Sequence, residues 1–285
     1  MIGLYSKAYL AQQSADRDGG IVMASVTPTY EEQRMSVGRV IQRAMRAITF
    51  NPVVVLGLAL VIGAIPGVLL TYIAVRMSGA AGVQAASFSA LMSTIFLSTI
   101  FGLLVSALVQ GSLTRATIAA NEGRKATFGE SFAAALRVFL PLVGLSILFI
   151  LGMWIGFILL IIPGIIFLVA ASVAVPALVV ERNGVFPAFR RSGELTKGAR
   201  WKILGLFLLL GVAYLLLSYL VGLLGLGMYS VQNAGAELPI SNLAGSVIVS
   251  TIVNMLWGTL QPSLYLELRQ WKDGHDVDNL ERVFA

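Results

Sequence analysis

Long apolar runs alternate along the chain with short polar segments. The longest run, residues 138–180, has 43 positions without an Asp, Glu, Lys, Arg or His. A helix crosses a bilayer with about 20 apolar residues, so this run is too long for one crossing. Pro163 and Gly164 favour a chain reversal in its middle. We therefore predict two spans, residues 139–162 and 165–180, joined by a tight turn.

Four further apolar runs have the length of a membrane span. They cover residues 52–75, 88–113, 203–226 and 241–264. Pro66-Gly67 predicts an irregularity in the first of them. Together the pattern predicts an all-α protein, a polytopic bundle of six transmembrane helices in three hairpins.

Gly152 and Gly156 lie one turn apart in the third predicted span. Small residues at this spacing let another helix approach closely, although such pairs are also common by chance.

A short amphipathic segment precedes each hairpin, at residues 37–48, 128–136 and 187–197. In the first, apolar residues recur at helical spacing while Arg39, Arg43 and Arg46 occupy the other side. Basic amphipathic helices of this kind lie in the membrane interface. The recurrence indicates either a threefold architectural repeat or the general basic character of juxtamembrane segments.

The polar ends of the chain set its domain organisation. Residues 1–34 predict a disordered polar leader, and Met35 resembles a natural start of the chain that follows. Residues 35–268 form the predicted membrane domain, and residues 269–285 form a charged tail.

Composition and charge agree with a membrane location. Hydrophobic residues make up 57% of the 285 positions and charged residues only 12%, about half the share in soluble domains. Nineteen of the 20 Lys and Arg residues fall on one side of the six predicted spans, and only Arg76 lies opposite. The positive-inside rule then predicts a protein of the cytoplasmic membrane with both termini in the cytoplasm. Because these cations flank apolar spans, nucleic acid is not a predicted partner.

Residues for catalysis or metal binding are scarce. The chain has no cysteine and one histidine, His275, and the predicted spans contain no Asp, Glu, Lys, Arg or His. Catalysis and ion coupling within membranes normally require such residues, and zinc requires several ligands together. We therefore predict no enzyme activity, no cofactor and no metal site.

Two groups of polar residues are candidate sites. Hydroxyl and amide side chains in the second and sixth spans could line a polar cavity, or could bond within and between helices instead. They are Ser93, Thr94, Ser98, Thr99, Thr251 and Asn254. Cations between the fourth and fifth spans could contact anionic lipid headgroups, or could set the topology alone. They are Arg190, Arg191, Lys197, Arg200 and Lys202.

Several short motifs resemble a known bacterial membrane family. They are Leu160-Ile161-Ile162-Pro163-Gly164, Glu181-Arg182, Ala188-Phe189-Arg190-Arg191-Ser192, Leu195-Thr196-Lys197-Gly198 with Trp201, Tyr265-Leu266-Glu267-Leu268-Arg269 and Asp273-Gly274. Over about residues 36–280 the chain resembles the glycerophosphoryl diester phosphodiesterase membrane domain, which is close to uncharacterised six-span families. In that family the membrane region can be joined to a phosphodiesterase domain, similar to a soluble barrel with metal-binding carboxylates and histidines. The resemblance implies the membrane part without the enzyme and transfers no catalytic residue.

These observations predict a non-catalytic integral membrane protein that acts in envelope organisation, partner assembly or lipid contact. Membrane lipids are the expected partners, with a membrane protein or a second copy of the chain as further candidates. The alternative is a passive solute or lipid transporter that uses the polar residues of the second and sixth spans.

Overall fold

Helices form almost all of the chain that the computed structural model describes, which is residues 35–80, 88–226 and 240–284. No strand occurs among these residues. A helix satisfies its backbone hydrogen bonds within its own segment, which long apolar runs in lipid require. The prediction of an all-α helical bundle is confirmed. The predicted leader, residues 81–87 and 227–239, and the side chains of Thr94 and His275 lie outside the described part.

The helical segments are labelled here in chain order. They are α1 (Val37–Phe50), α2 (Pro52–Gly57), the π-helical π1 (Leu58–Ala64), α3 (Ile65–Ala80), α4 (Phe88–Asn121), α5 (Phe128–Arg137), α6 (Phe139–Leu159), α7 (Ile161–Ala170), α8 (Ala174–Glu181), α9 (Val185–Thr196), α10 (Arg200–Val221), the π-helical π2 (Gly222–Leu226) and α11 (Ile240–Phe284).

Six helical stretches of the described chain are long and apolar enough to cross a membrane. They are Pro52–Ile73, Phe96–Asn121, Phe139–Leu159, Ile161–Glu181, Arg200–Leu224 and Asn242–Gly274. The protein is therefore a multi-pass helical membrane protein.

The first span changes helix type part-way along its length. α2 passes into π1, and α3 begins one residue before Pro66. Proline cannot donate the hydrogen bond to the carbonyl four residues back, and its ring crowds that carbonyl. A single wider π turn accommodates such a break. The irregularity predicted at Pro66-Gly67 takes this form.

The central hairpin reverses earlier than the sequence predicts. α6 ends at Leu159, Leu160 is extended, and α7 begins at Ile161, so the prediction of a turn at residues 163–164 is wrong. Pro163 instead occupies the first turn of α7, where a missing N–H breaks no helical hydrogen bond. Gly156 lets the two helices meet, because a Cβ atom there would lie 2.8 Å from the Cα atom of Gly164.

The fourth span is not one continuous helix. Residues 171–173 form a turn between α7 and α8, whereas the sequence predicts a single span over residues 165–180. The buried hydroxyl of Ser192 supplies the missing hydrogen bonds at this turn. It donates to the Ala170 carbonyl at 2.6 Å and accepts from the Val173 N–H at 3.2 Å.

Two helices run past the predicted ends of their spans. α4 continues from residue 113 to Asn121, and the chain turns at Gly123, whose φ of +79° suits glycine. α11 continues from residue 264 to Phe284, with Pro262 inside it. Residues 114–121 and 265–284 are therefore helical, and the predicted charged tail from residue 269 continues α11 as far as Phe284.

The three predicted amphipathic helices are present as α1, α5 and α9. α1 buries Val40, Ala44 and Ala47, and two of these join a core cluster with Leu264 and Leu268 of α11. The apolar face of α1 is thus covered by the protein itself. This contact brings the charged residues of α1 close to those of α11.

Candidate functional site

Two of the five candidate cations are held by contacts within the protein. Arg191 lies on α9, opposite the C-terminal end of α8 and the second half of α11. Its Nε atom is 3.0 Å from Oε1 of Glu181, and its terminal nitrogen is 2.9 and 2.7 Å from the two oxygens of Asp273. Tyr265 donates its hydroxyl to the same Glu181 oxygen at 2.9 Å. We call Glu181, Arg191, Tyr265 and Asp273 the charged junction.

The charged junction favours the positive form of Arg191. Partial burial, the largest single effect, lowers the pKa of the guanidinium, but the hydrogen bonds and the negative charges of Asp273 and Glu181 together raise it by more, and the pKa lies above its ordinary value. A charge-assisted contact of one guanidinium nitrogen with both oxygens of Asp273 also restrains the geometry of the pair. Arg191 therefore joins α8, α9 and α11.

Lys202 also makes an internal contact. Its ammonium donates to the backbone carbonyl of Met35 at 2.9 Å. This hydrogen bond holds Met35, two residues before α1, against the start of α10.

A buried carboxylate on the opposite side of α11 was not among the predicted site residues. Glu267 is 2% exposed and lies 2.7 Å from Nε of Arg39 and 3.4 Å from a terminal nitrogen of Arg43. The Ser36 N–H also donates to Glu267, at 3.2 Å. The sequence feature that could have indicated this buried carboxylate is an acidic residue flanked by apolar ones, in Tyr265-Leu266-Glu267-Leu268.

The remaining three cations point outward. Arg190 is 78% exposed and has only a distant contact, 3.8 Å, with Glu194 on the next turn. Lys197 and Arg200 are exposed, and neither has an ion-pair partner among the described residues. We call Arg190, Lys197 and Arg200 the cationic surface.

Exposed aromatic rings border the cationic surface. Phe186, at the start of α9, is 73% exposed, and Trp201, at the start of α10, is 85% exposed. A tryptophan ring such as that of Trp201 prefers the headgroup level of a bilayer. The turn before Trp201 depends on Gly198, whose φ is +91° and whose added Cβ would lie 3.3 Å from the Trp271 ring.

The candidate polar residues of the second and sixth spans occupy different surroundings. Thr99 and Ser93 line an open depression of about 540 Å³ with Met92 and Phe96. Ser98 is half-buried on the same helix. Thr251 and Asn254 are not among the residues that line this depression.

Thr251 and Asn254 contact their own helix or a neighbouring one. The Thr251 hydroxyl donates to the Val247 carbonyl one turn back, at 2.7 Å. Asn254 packs against π1, since a Cβ atom at Gly63 would lie 2.9 Å from its amide nitrogen. A common polar cavity for the four residues Ser98, Thr99, Thr251 and Asn254 stays a prediction.

Several other hydroxyls described within the spans bond back to their own helix. Ser112, Ser146, Thr259 and Ser263 each donate to the carbonyl four residues earlier. Such bonds satisfy the hydroxyl without a partner or a substrate. Within the described ranges no three Asp, Glu or His residues are close enough to hold a metal ion.

A comparison with protein-family models places the chain in a family. The model of a domain of unknown function, DUF7847, matches residues 35–267. The chain belongs to the DUF7847 family. The matched region of this DUF7847 protein contains both the cationic surface and Glu181, Arg191, Tyr265 and Glu267. The family shown is thus uncharacterised, and the resemblance to the glycerophosphoryl diester phosphodiesterase membrane domain stays a prediction. No curated protein and no solved structure was found to match.

Proposed function

We propose that this chain is a non-catalytic protein of the cytoplasmic membrane that contacts anionic lipid through its cationic surface. Both termini lie in the cytoplasm in this proposal. Its role is to organise the envelope or to assemble a partner at that lipid contact.

One observation carries the proposal. Arg190, Lys197 and Arg200 stay exposed beside the bare ring of Trp201, while Arg191 and Lys202 of the same segment are used internally. A cation near an anionic leaflet contributes about 1 kcal/mol to membrane attraction. Amphipathic rings at the same level add apolar contact with the headgroup boundary.

The charge distribution supports the orientation. Nineteen of the 20 Lys and Arg residues fall on the side of the cationic surface when the six spans are counted. The positive-inside rule assigns this side to the cytoplasm. The cytoplasmic leaflet carries anionic lipids, which attract these cations.

The proposed relation to the glycerophosphoryl diester phosphodiesterase membrane domain has support in the placement of the motifs that carry it. Residues of separate motifs meet in the charged junction, where Arg191 contacts Asp273 and Tyr265 contacts Glu181. Ser192 of the same motif closes the turn between α7 and α8. These roles are structural, and none of them requires a catalytic group.

The proposal is tested by native mass spectrometry after incubation with mixed vesicles of phosphatidylglycerol and phosphatidylcholine and extraction in mild detergent. The variant Arg190→Ala/Lys197→Ala/Arg200→Ala should lower the retained phosphatidylglycerol by on the order of tenfold to a hundredfold, because three cations are removed. Retention of phosphatidylcholine should not change.

The matched control removes three exposed cations elsewhere, as Arg46→Ala/Lys125→Ala/Arg137→Ala. Net charge falls equally in both variants, so only a specific surface distinguishes them. Equal loss of phosphatidylglycerol in both, or loss in neither, would contradict the proposal. If vesicles that contain the protein pass a solute, and the variant lacking the cationic surface passes it at the same rate, the transporter is favoured instead.

A further inference from the structure

An apolar groove lies between α7, α10 and α11. Its volume is about 450 Å³, within the range of about 300–1,000 Å³ for small-molecule sites. Ile165 of α7, Leu204 and Gly211 of α10, and Val253 and Trp257 of α11 are among the residues that line it. Of all its lining side chains, only those of Tyr214 and Trp257 carry a polar atom.

The groove is slightly longer than the hydrocarbon thickness of one leaflet. On α10 its lining extends from Leu204 to Leu217, which at about 1.5 Å per residue is roughly 20 Å. Half of a hydrocarbon core is about 15 Å. An extended acyl chain that starts at the headgroup level would therefore follow the groove through its own leaflet.

A cation stands at one end of the groove. Arg200 precedes Leu204 by four residues on α10, so both lie on the same face of the helix. Leu204 is the first groove residue of α10, and the charged segment immediately precedes it. An anionic group held by Arg200 would thus place an attached hydrocarbon chain at the entrance of the groove.

We infer that the groove holds one acyl chain of an anionic glycerophospholipid, with the lipid phosphate bound at Arg200. The charge of Arg200 and the apolar lining complement the two ends of such a molecule. This inference rests on the proposed lipid contact, and it assigns that contact to one bound lipid at one site.

Gly211 offers a direct way to fill the groove. A Cβ atom built there meets no other part of the protein within 4 Å, so a side chain can begin at this lining position without a clash. Gly205 is the matched control. It lies on the same helix, its added Cβ also meets nothing within 4 Å, and it is not among the lining residues.

The test uses the full chain and the same mixed vesicles of phosphatidylglycerol and phosphatidylcholine, with native mass spectrometry as the readout. The unmodified chain should retain one phosphatidylglycerol. Gly211→Leu should reduce that retention at least fivefold, and Gly205→Leu should leave it unchanged. Arg200→Ala alone should reduce it about fivefold, which corresponds to the loss of one membrane-proximal cation.

The outcomes separate this inference from the proposed function. Full retention in Gly211→Leu, with loss in the variant lacking the cationic surface, would overturn the groove and leave the lipid contact standing. Retention in both would overturn both. A change from dimer to monomer in Gly211→Leu would also overturn the inference, because the occupant would then be a second copy. Circular dichroism melting of each variant confirms that the fold is retained.

Discussion

Individual polar residues in this protein mostly hold helices in place. Ser192 is fully buried and satisfies a carbonyl and an N–H that the turn between α7 and α8 leaves open. Glu267 is equally enclosed and attaches α1 to α11. Local pattern alone places Ser192 in an amphipathic helix and Glu267 at the end of the predicted membrane domain, without a partner for either.

Replacement of Ser192 by Ala should lower the free energy of unfolding by about 1–3 kcal/mol, because two backbone groups lose their buried partner. Thermal unfolding in detergent, followed by circular dichroism, measures the change. Ser146→Ala is the control, since its hydroxyl bonds only to the Leu142 carbonyl of its own helix. An equal effect of both substitutions would show that the turn does not depend on Ser192.

Replacement of Glu267 by Ala should lower the stability by about 1.5–3 kcal/mol, the range for hydrogen bonds to charged groups. Arg39 and Arg43 remain partly hydrated, which keeps the cost below that of a fully buried pair. Glu194→Ala provides the comparison, because its pair with Arg190 is exposed and contributes at most about 1 kcal/mol. Limited proteolysis at α1 should increase in Glu267→Ala only, and an unchanged rate would argue against this attachment.

At the scale of elements, the hairpin of α6 and α7 depends on close backbone contact. Gly152 faces the Phe167 ring and Gly156 faces Gly164, so the helix that these small residues admit is α7 of the same chain. The sequence indicated a close helix contact here but not its partner. The spacing of small residues predicts where another helix can pack closely against α6. The position of the turn at Leu160 decides that this helix is α7.

Gly156→Ala should therefore separate α6 from α7 and cost about 1–3 kcal/mol, as overpacking usually does. The added methyl would overlap backbone atoms, which no side-chain rotation relieves. Gly102→Ala in α4 is the matched control, because its Cβ meets nothing within 4 Å. It should be neutral or stabilising by up to about 1 kcal/mol. Comparable melting temperatures for the two variants would contradict this packing.

The start of α5 should depend on pH. Thr127 caps the helix by accepting the Glu130 N–H at 3.2 Å. A hydrogen bond from Arg124, aided by the charges of Arg124 and Arg115, outweighs desolvation and holds the pKa of the Glu130 carboxyl below its ordinary value. A lowered folded pKa stabilises the folded state above the unfolded pKa of about 4.3 and loses that contribution as pH falls through the folded value.

Amide hydrogen exchange across α5 measures this dependence. Protection of the first turn should decrease as the pH falls through the lowered pKa of Glu130, where the carboxyl takes up a proton. Glu130→Gln should show the lower protection already at neutral pH and no further decrease on acidification. A parallel decrease in both proteins would assign the effect to other groups.

For the whole molecule, the sequence predicted the number and approximate positions of the spans, since length and apolarity are local properties. It did not predict the pairing of Arg39 with Glu267, which are 228 residues apart. The sequence also grouped Arg191 with the outward cations. Its partners lie on other helices, α8 and α11, so the local pattern around Arg191 does not show them. Only the packing of distant helices distinguishes Arg191 from Arg190, its neighbour in the chain.

The lipid account depends on the cationic surface facing the cytoplasm. The chain has no cysteine, so a single introduced cysteine reports its side of the membrane through a membrane-impermeant maleimide. Lys197→Cys lies on the cationic surface, and Glu237→Cys lies between the fifth and sixth predicted spans, on the opposite side. In intact cells, Glu237→Cys should be labelled and Lys197→Cys should be labelled only after the membrane is opened. The unsubstituted chain controls for background. Labelling of Lys197→Cys from outside intact cells would place the cationic surface on the wrong leaflet and contradict the account.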